Sequence, residues 1–163
     1  AIPAQGEVLI SLSGDSQKNA YVASGPNGSN GQQADIFIYD LAADVSVNVT
    51  NTPDVNEDHP AYSPAGERIA FIRLITVRGT YRYDIFTIPA VGGTALQITT
   101  KGTTGAAQNL FPSYSPDGQY LSFASGASLF AFDIYRIKAD GSGKAVNLTG
   151  KCTGSFRYNR WRR

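Results

Sequence analysis

Short apolar and aromatic runs alternate with turn residues along most of the chain. The runs have about four to eight residues, as in Ile36-Phe37-Ile38-Tyr39, and they lack the spacing of an amphipathic helix. Clusters typical of tight turns separate them, for example Ser115-Pro116-Asp117-Gly118 and Val91-Gly92-Gly93. The pattern predicts many short antiparallel strands joined by hairpins, and therefore an all-β chain.

The strands repeat with a period of about fifty residues, which is typical of repeat architectures. One motif recurs at intervals of 49 positions, as Asp35-Ile36-Phe37-Ile38-Tyr39, Asp84-Ile85-Phe86-Thr87-Ile88 and Asp133-Ile134-Tyr135-Arg136-Ile137. A second motif follows each copy, as Asn48-Val49-Thr50, Gln97-Ile98-Thr99 and Asn147-Leu148-Thr149. Linked motifs that recur three times together indicate three copies of one structural unit.

A third motif lies upstream of the other two. Residues 60–71 match residues 112–123 without a gap, and residues 13–21 fall into the same frame, with Asp15 opposite Asp117. The three units extend over about 6–52, 53–104 and 105–150, and each is predicted to form four strands.

The turn between the first two strands of a unit has a recognisable chemistry. In Ser115-Pro116-Asp117-Gly118, proline presets φ at the second position and glycine avoids crowding at the last. The first unit has Gly14-Asp15-Ser16 instead, with the glycine displaced. We therefore expect the first unit's turn to differ in type.

The combined pattern, Pro-x-Tyr-Ser-Pro-Asp-Gly, an apolar strand with Phe, then Asp-Ile-Tyr and Leu-Thr, resembles the WD40-like repeat of TolB-type β-propellers. The resemblance extends over nearly all of residues 6–150. It implies that each unit is a four-stranded antiparallel blade with the Asp-Ile-Tyr strand third and the Leu-Thr strand outermost. It also implies protein partners and an all-β fold of three such sheets, forming an open arc or half of a propeller.

Three blades are fewer than the four to eight that ordinarily close a propeller. An open arc leaves the outer faces of its first and last blades bare, and bare apolar faces of that size mark interaction surfaces. Three arrangements remain open. The chain is half of a six-bladed ring completed by a second copy, a fragment of a longer propeller, or a subunit that stacks into a larger ring or a filament.

Charge and composition narrow the classes of partner. The last thirteen residues hold five of the 14 Lys and Arg residues, so residues 1–150 carry nine against 13 acids, an excess of four negative charges. An acidic body does not favour nucleic-acid binding, which needs a basic face. No apolar run approaches the roughly 20 residues of a membrane-spanning helix.

The two ends of the chain carry separate expectations. The basic, aromatic tail 151–163 matches no strand of the repeat, and it is either an arm that docks on a neighbour or the product of a truncated or shifted reading frame. The single Cys152 cannot form an intrachain disulfide. The absence of Met indicates either processing or an excised piece of a longer chain, and the opening Ala1-Ile2-Pro3-Ala4 is compatible with removal of a signal peptide during export.

Several residues are candidates for chemistry. His59 is either a base beside Asp58, a channel-lining ligand or a loop histidine without a role, and the last is favoured because Leu110-Phe111 take the equivalent positions in the third unit. The acidic group Asp54, Glu57 and Asp58 is expected to be a solvated loop rather than a cation site. The repeated Asp35, Asp84 and Asp133 are expected to be structural, because they recur in every unit.

Other motifs also favour a structural interpretation. The aromatic residues at repeat positions are expected to pack between blades rather than to bind a ligand; they are Tyr62, Phe71, Phe86, Tyr114, Phe123 and Tyr135. The glycine-rich segment 25–31 is expected to be a long hairpin loop. Asn27, Asn48 and Asn147 match the acceptor pattern for N-glycosylation, and Asn27 is the most accessible of them by its loop context.

With one histidine and no Gly-x-Ser-x-Gly motif, no catalytic set can be assembled. We therefore expect no catalytic, cofactor-binding or metal-binding residues and no cofactor. The sequence predicts a non-enzymatic module for protein binding or self-assembly, in the periplasm or outside the cell. Two alternatives are the propeller portion of a larger prolyl-oligopeptidase-like hydrolase and the repeating subunit of an extracellular fibre.

Overall fold

The computed structural model describes residues 10–24, 33–100, 104, 108–128 and 131–150. Within these ranges the chain forms twelve strands: β1 (Ile10–Leu12), β2 (Lys18–Ser24), β3 (Ala34–Asp40), β4 (Val45–Asn48), β5 (Glu57–Tyr62), β6 (Arg68–Val77), β7 (Thr80–Pro89), β8 (Leu96–Gln97), β9 (Gln108–Tyr114), β10 (Tyr120–Ser128), β11 (Ala131–Lys138) and β12 (Val146–Asn147).

The strands form three four-stranded antiparallel units in chain order. Strands β1–β4 make one sheet, in which each strand pairs with its neighbour in sequence. Strands β5–β8 and β9–β12 repeat that arrangement, and one parallel pairing between Tyr83 and Gln108 joins them. We call the three units the first, second and third blade. The predicted all-β fold of propeller blades is confirmed.

The turn between the first two strands is the same in all three blades. Its fourth residue donates a backbone hydrogen bond to the carbonyl of its first residue, in the pairs Ser16 to Ser13 (2.9 Å), Gly66 to Ser63 (2.9 Å) and Gly118 to Ser115 (2.8 Å). The fourth residue has a positive φ in each, 59° at Ser16, 71° at Gly66 and 72° at Gly118. The prediction of a different turn in the first blade was wrong, because Ser16 adopts the conformation that glycine adopts elsewhere.

The displaced glycine of the first turn serves the contact between blades. A Cβ built on Gly14 would lie 2.4 Å from the carbonyl oxygen of Pro64, in the matching turn of the second blade. No side chain fits there without displacing backbone. Gly14 therefore lets two neighbouring turns approach closely, while Asp15 keeps the hydrogen bonds that Asp117 makes in the third blade.

Apolar side chains fill the spaces between the blades. A pair of aromatic rings from the second and third strands recurs in each blade, with centroid distances of 5.7 Å for Tyr21–Phe37, 6.0 Å for Phe71–Phe86 and 5.8 Å for Phe123–Tyr135. The pair in the second blade packs on the first blade, and the pair in the third blade packs on the second. The aromatic positions therefore form interblade cores, as their repetition predicts.

Candidate functional site

The three repeated aspartates anchor the outermost strand of each blade. Their carboxylates accept hydrogen bonds from an amide and a hydroxyl: Asn48 Nδ2 (2.7 Å) and Thr50 Oγ1 (3.5 Å) at Asp35, Gln97 Nε2 (3.1 Å) and Thr99 Oγ1 (3.2 Å) at Asp84, and Asn147 Nδ2 (2.9 Å) and Thr149 Oγ1 (3.0 Å) at Asp133. Each threonine hydroxyl also accepts the backbone N–H that follows the aspartate. These carboxylates hold the fold together, which agrees with the structural role that their recurrence predicts.

The same contacts engage two of the three asparagines that match the pattern for N-glycosylation. Asn48 donates its side-chain amide to Asp35, and Asn147 donates its amide to Asp133 and to the Tyr135 hydroxyl. An attached glycan would replace one of the two amide hydrogens, so Asn147 would lose one of its two donated hydrogen bonds. The third acceptor, Asn27, lies with the glycine-rich segment 25–31 outside the described residues, as do Cys152 and the tail 151–163.

Glu57 is a fully buried member of strand β5, so the expected solvated loop is wrong at this position. Its Oε1 lies 2.6 Å from Arg73 Nη2 and 2.8 Å from Arg73 Nε, and it also accepts a hydrogen bond from Thr52 Oγ1 at 3.2 Å. The Arg73 guanidinium lies over the Phe86 ring, 4.5 Å from its centroid. The acidic motif thus supplies a buried ion pair inside the second blade.

The third blade has an uncharged version of this cluster. Asn109 takes the place of Glu57 and Ser125 that of Arg73, with Ser125 Oγ 2.8 Å from Asn109 Oδ1. Asn109 Nδ2 also donates to Asp84 Oδ1 at 3.1 Å, which joins the second and third blades. Two signals in the sequence point to the cluster: a charged Arg73 inside an apolar strand, and Glu57 in the same repeat frame as Asn109.

Burial governs the ionisation of Glu57. Loss of water around the carboxyl raises the pKa of Glu57, and the contacts with Thr50, Arg73 and Thr52 offset only part of that rise. Asp58, next along the strand, responds differently. Burial alone would raise the pKa of Asp58, but hydrogen bonds and charge from His59 outweigh burial and lower it.

His59 lies within strand β5 and not in a loop, which corrects its expected place. It has a φ of 54°, as Phe111 has 56° at the equivalent bulge of the third blade, and the two rings meet edge to face at 4.6 Å. Its Nδ1 is 3.3 Å from Asp58 Oδ2. The histidine therefore packs where two innermost strands meet, and no further acid or nucleophile joins the Asp58–His59 pair among the contacts of the described residues.

A cleft of about 650 Å³ opens between the turns of the second and third blades. Its walls include Arg68 together with Glu67, Asp117 and Asp140, and buried Tyr114 forms part of its floor. Burial raises the pKa of Tyr114 to about 12. Three carboxylates and one guanidinium line the cleft, and the carboxylates of Asp117 and Asp140 already accept hydrogen bonds within their own turns.

The described residues bring together no group of three His, Cys, Asp or Glu side chains that could hold a metal ion. None of the described segments is a helix long and apolar enough to cross a membrane.

The first blade exposes apolar side chains on the face turned away from the second blade. Leu12 is 52% exposed, whereas Tyr62 and Tyr114, at the same repeat position, are 8% exposed because a preceding blade covers them. Ile10 is 56% exposed, and it pairs across the sheet with Tyr21. We call this surface, with Ile10, Leu12 and the adjoining turn 41–44, the leading face.

The third blade exposes apolar side chains on its opposite side. Leu148 is 49% exposed, whereas Val49 and Ile98, at the same repeat position, are 6% and 5% exposed because a following blade covers them. Ala124 at the centre of this sheet is buried. Val146 is 47% exposed, much as Val47 (53%) and Leu96 (45%) are in the blades that have a following blade, so the contrast on this side rests on Leu148. We call this surface the trailing face.

Comparison with solved structures shows the same fold. TolB from Acinetobacter baumannii superimposes with a TM-score of 0.63 and 19% identity, over 87% of this chain and 32% of TolB. A putative TolB from Agrobacterium tumefaciens gives a TM-score of 0.69 and 23% identity, over 90% of this chain and 50% of that chain. The β-propeller domain of the Trilobed protease from Pyrococcus furiosus gives a TM-score of 0.61 and 15% identity, over 85% of this chain and 41% of that chain.

These likenesses establish a TolB-like β-propeller fold. The chain spans between about a third and a half of the length of these three proteins. No protein-family model and no curated protein matches the chain.

Proposed function

We propose that this TolB-like propeller segment is a non-enzymatic module that binds protein through its leading and trailing faces, in the periplasm or outside the cell. The observation that carries the proposal is the contrast in exposure at equivalent positions. Leu12 and Leu148 are about half exposed where their counterparts in the other blades are buried against a neighbouring blade. Exposed apolar surface next to a well-packed core of the same design is typical of a protein interface.

The buried polar groups support the non-enzymatic part of the proposal. The most conspicuous carboxylates of the described residues, Asp35, Asp84 and Glu57, are held by hydrogen bonds inside the blades. A carboxylate engaged in this way stabilises the fold and is not available to a substrate. The exported location rests on the likeness to TolB-type propellers and is tested by locating the protein in periplasmic and cytosolic fractions of its host.

Substitutions on the two faces test the binding role. Leu12→Asp and Leu148→Asp place a charge on the leading and trailing faces, and Val91→Asp, at a position 92% exposed in a turn of the second blade, is the matched control. Sedimentation velocity over a concentration series should show association of the native chain and of the control, and loss of association in both face variants. Association that both face variants retain contradicts the proposal, because binding then does not use these faces.

A further inference from the structure

One contact between blades occurs twice inside the chain. The turn after the third strand of a blade packs on the outermost strand of the preceding blade. A Cβ built on Gly92 would lie 3.5 Å from Val49 O, and one built on Gly141 would lie 3.5 Å from Ile98 Cδ1. Ala90 and Ala139, two residues before these glycines, pack against the same two interblade cores.

The two halves of a third such contact are present but do not meet within one copy. In the first blade, Leu41 and Ala43 take the turn positions of Ala90 and Gly92, and Leu41 is 48% exposed. In the third blade, Leu148 takes the position of Val49 and Ile98, and it is 49% exposed. A single chain therefore carries both complementary parts of its own repeating interface.

We propose that a second copy of this chain docks its leading face on the trailing face of the first and closes a six-bladed ring. This inference rests on the proposed function and identifies the protein partner as a second copy of the chain. Leu41 and Ala43 of each copy contact Leu148 of the other, so the two interfaces are related by a twofold axis. This continues the contact that already joins the blades within one chain.

Ring closure favours two copies over any other number. Propellers ordinarily have four to eight blades, and six is the one multiple of three in that range. A twofold ring uses both faces of both copies, whereas head-to-tail docking that fails to close would extend into a filament. The closed ring leaves neither Leu12 nor Leu148 in water.

Cysteine pairs test the predicted contact. A Cβ built on Gly92 lies 4.0 Å from Val49 Cα, and one built on Gly141 lies 3.8 Å from Ile98 Cα, so Ala43 and Leu148 of opposite copies should lie within reach of a disulfide. Ala43→Cys/Leu148→Cys is made in a Cys152→Ser background and oxidised at low protein concentration. The control Val91→Cys/Leu148→Cys, in the same background, measures how much disulfide forms by random collision.

The ring predicts one covalent dimer on a non-reducing gel, at least tenfold more abundant than in the control, and a mass of twice 17.4 kDa by light scattering of the chain without added cysteines. A ladder of higher oligomers overturns the closed ring but leaves the protein-binding faces standing. Cross-linking no greater than in the control, with a monomeric mass, overturns the second copy as the partner. A native-like circular dichroism spectrum shows that the variants are folded in each case.

Discussion

Arg73 and Glu57 form a buried ion pair, 2.6 Å between Nη2 and Oε1, at the place where the third blade pairs Ser125 with Asn109. The two clusters share one backbone register, since Glu57 lies opposite Arg73 and Asn109 opposite Ser125. The same two positions of the repeat therefore hold a charged pair in the second blade and a neutral pair in the third. The neutral pair provides a template for testing what the charged pair contributes.

Arg73→Ala should strongly destabilise the second blade. The substitution leaves the Glu57 carboxylate buried without its cation, and breaking a buried pair in this way costs about 3–5 kcal/mol. The double variant Glu57→Asn/Arg73→Ser copies the pair of the third blade and should recover most of that loss. Urea unfolding measures both, and a double variant as unstable as Arg73→Ala contradicts the equivalence of the two clusters.

The raised pKa of Glu57 makes its contribution depend on pH. Because the folded state holds this proton more tightly than the unfolded state, Glu57 contributes fully below pH 4.5, and the contribution is lost as pH rises through the folded-state pKa. Glu57→Gln mimics the protonated side chain at every pH. Its free energy of unfolding relative to the native chain should therefore rise with pH above 4.5. A difference that is constant with pH argues against the shift.

The sequence predicts the blades because the repeat displays their strands directly. Phe71 and Phe123 recur in one frame, and both are fully buried. The burial of Glu57 was not predicted because three acids within five residues suggest a solvated loop. Only the ion pair with Arg73, sixteen positions away, makes this burial possible. The turn at Ser16 was not predicted because a non-glycine residue at positive φ is uncommon, and the close approach of Pro64 that requires glycine at position 14 is not visible in the sequence.

Phe71→Ala and Phe123→Ala should each lower the free energy of unfolding by about 3–5 kcal/mol, since both remove a large ring from a close-packed core. Each ring is fully buried and lies against a second aromatic ring of the same blade. Val91→Ala, at an exposed site, should change it by less than about 0.5 kcal/mol. Losses below about 1 kcal/mol at either phenylalanine contradict its assignment to an interblade core.

Asp84→Asn should cost more stability than Asp133→Asn. The Asp84 carboxylate is fully buried and accepts from Arg82, Gln97, Thr99 and Asn109, so a side-chain amide would turn its own donor group toward donors. Hydrogen bonds to charged groups contribute about 1.5–3 kcal/mol each, and a loss in that range is expected. Asp133 is only half-buried and is the matched comparison. Equal losses in thermal or urea unfolding would show that full burial and the additional contacts with Arg82 and Asn109 add nothing.

The fourth position of the turn provides a test of conformational strain in which an added methyl group meets no steric clash. Gly118 has a φ of 72°, and a Cβ at this position would lie 3.7 Å from Pro64 Cδ, an ordinary contact distance. Gly118→Ala should therefore destabilise through the backbone alone, by about 1 kcal/mol. Ser16→Gly places glycine at the equivalent position of the first blade, where φ is 59°, and should change stability in the opposite direction. If Ser16→Gly destabilises as much as Gly118→Ala, the serine is held by contacts of its side chain rather than tolerated at positive φ.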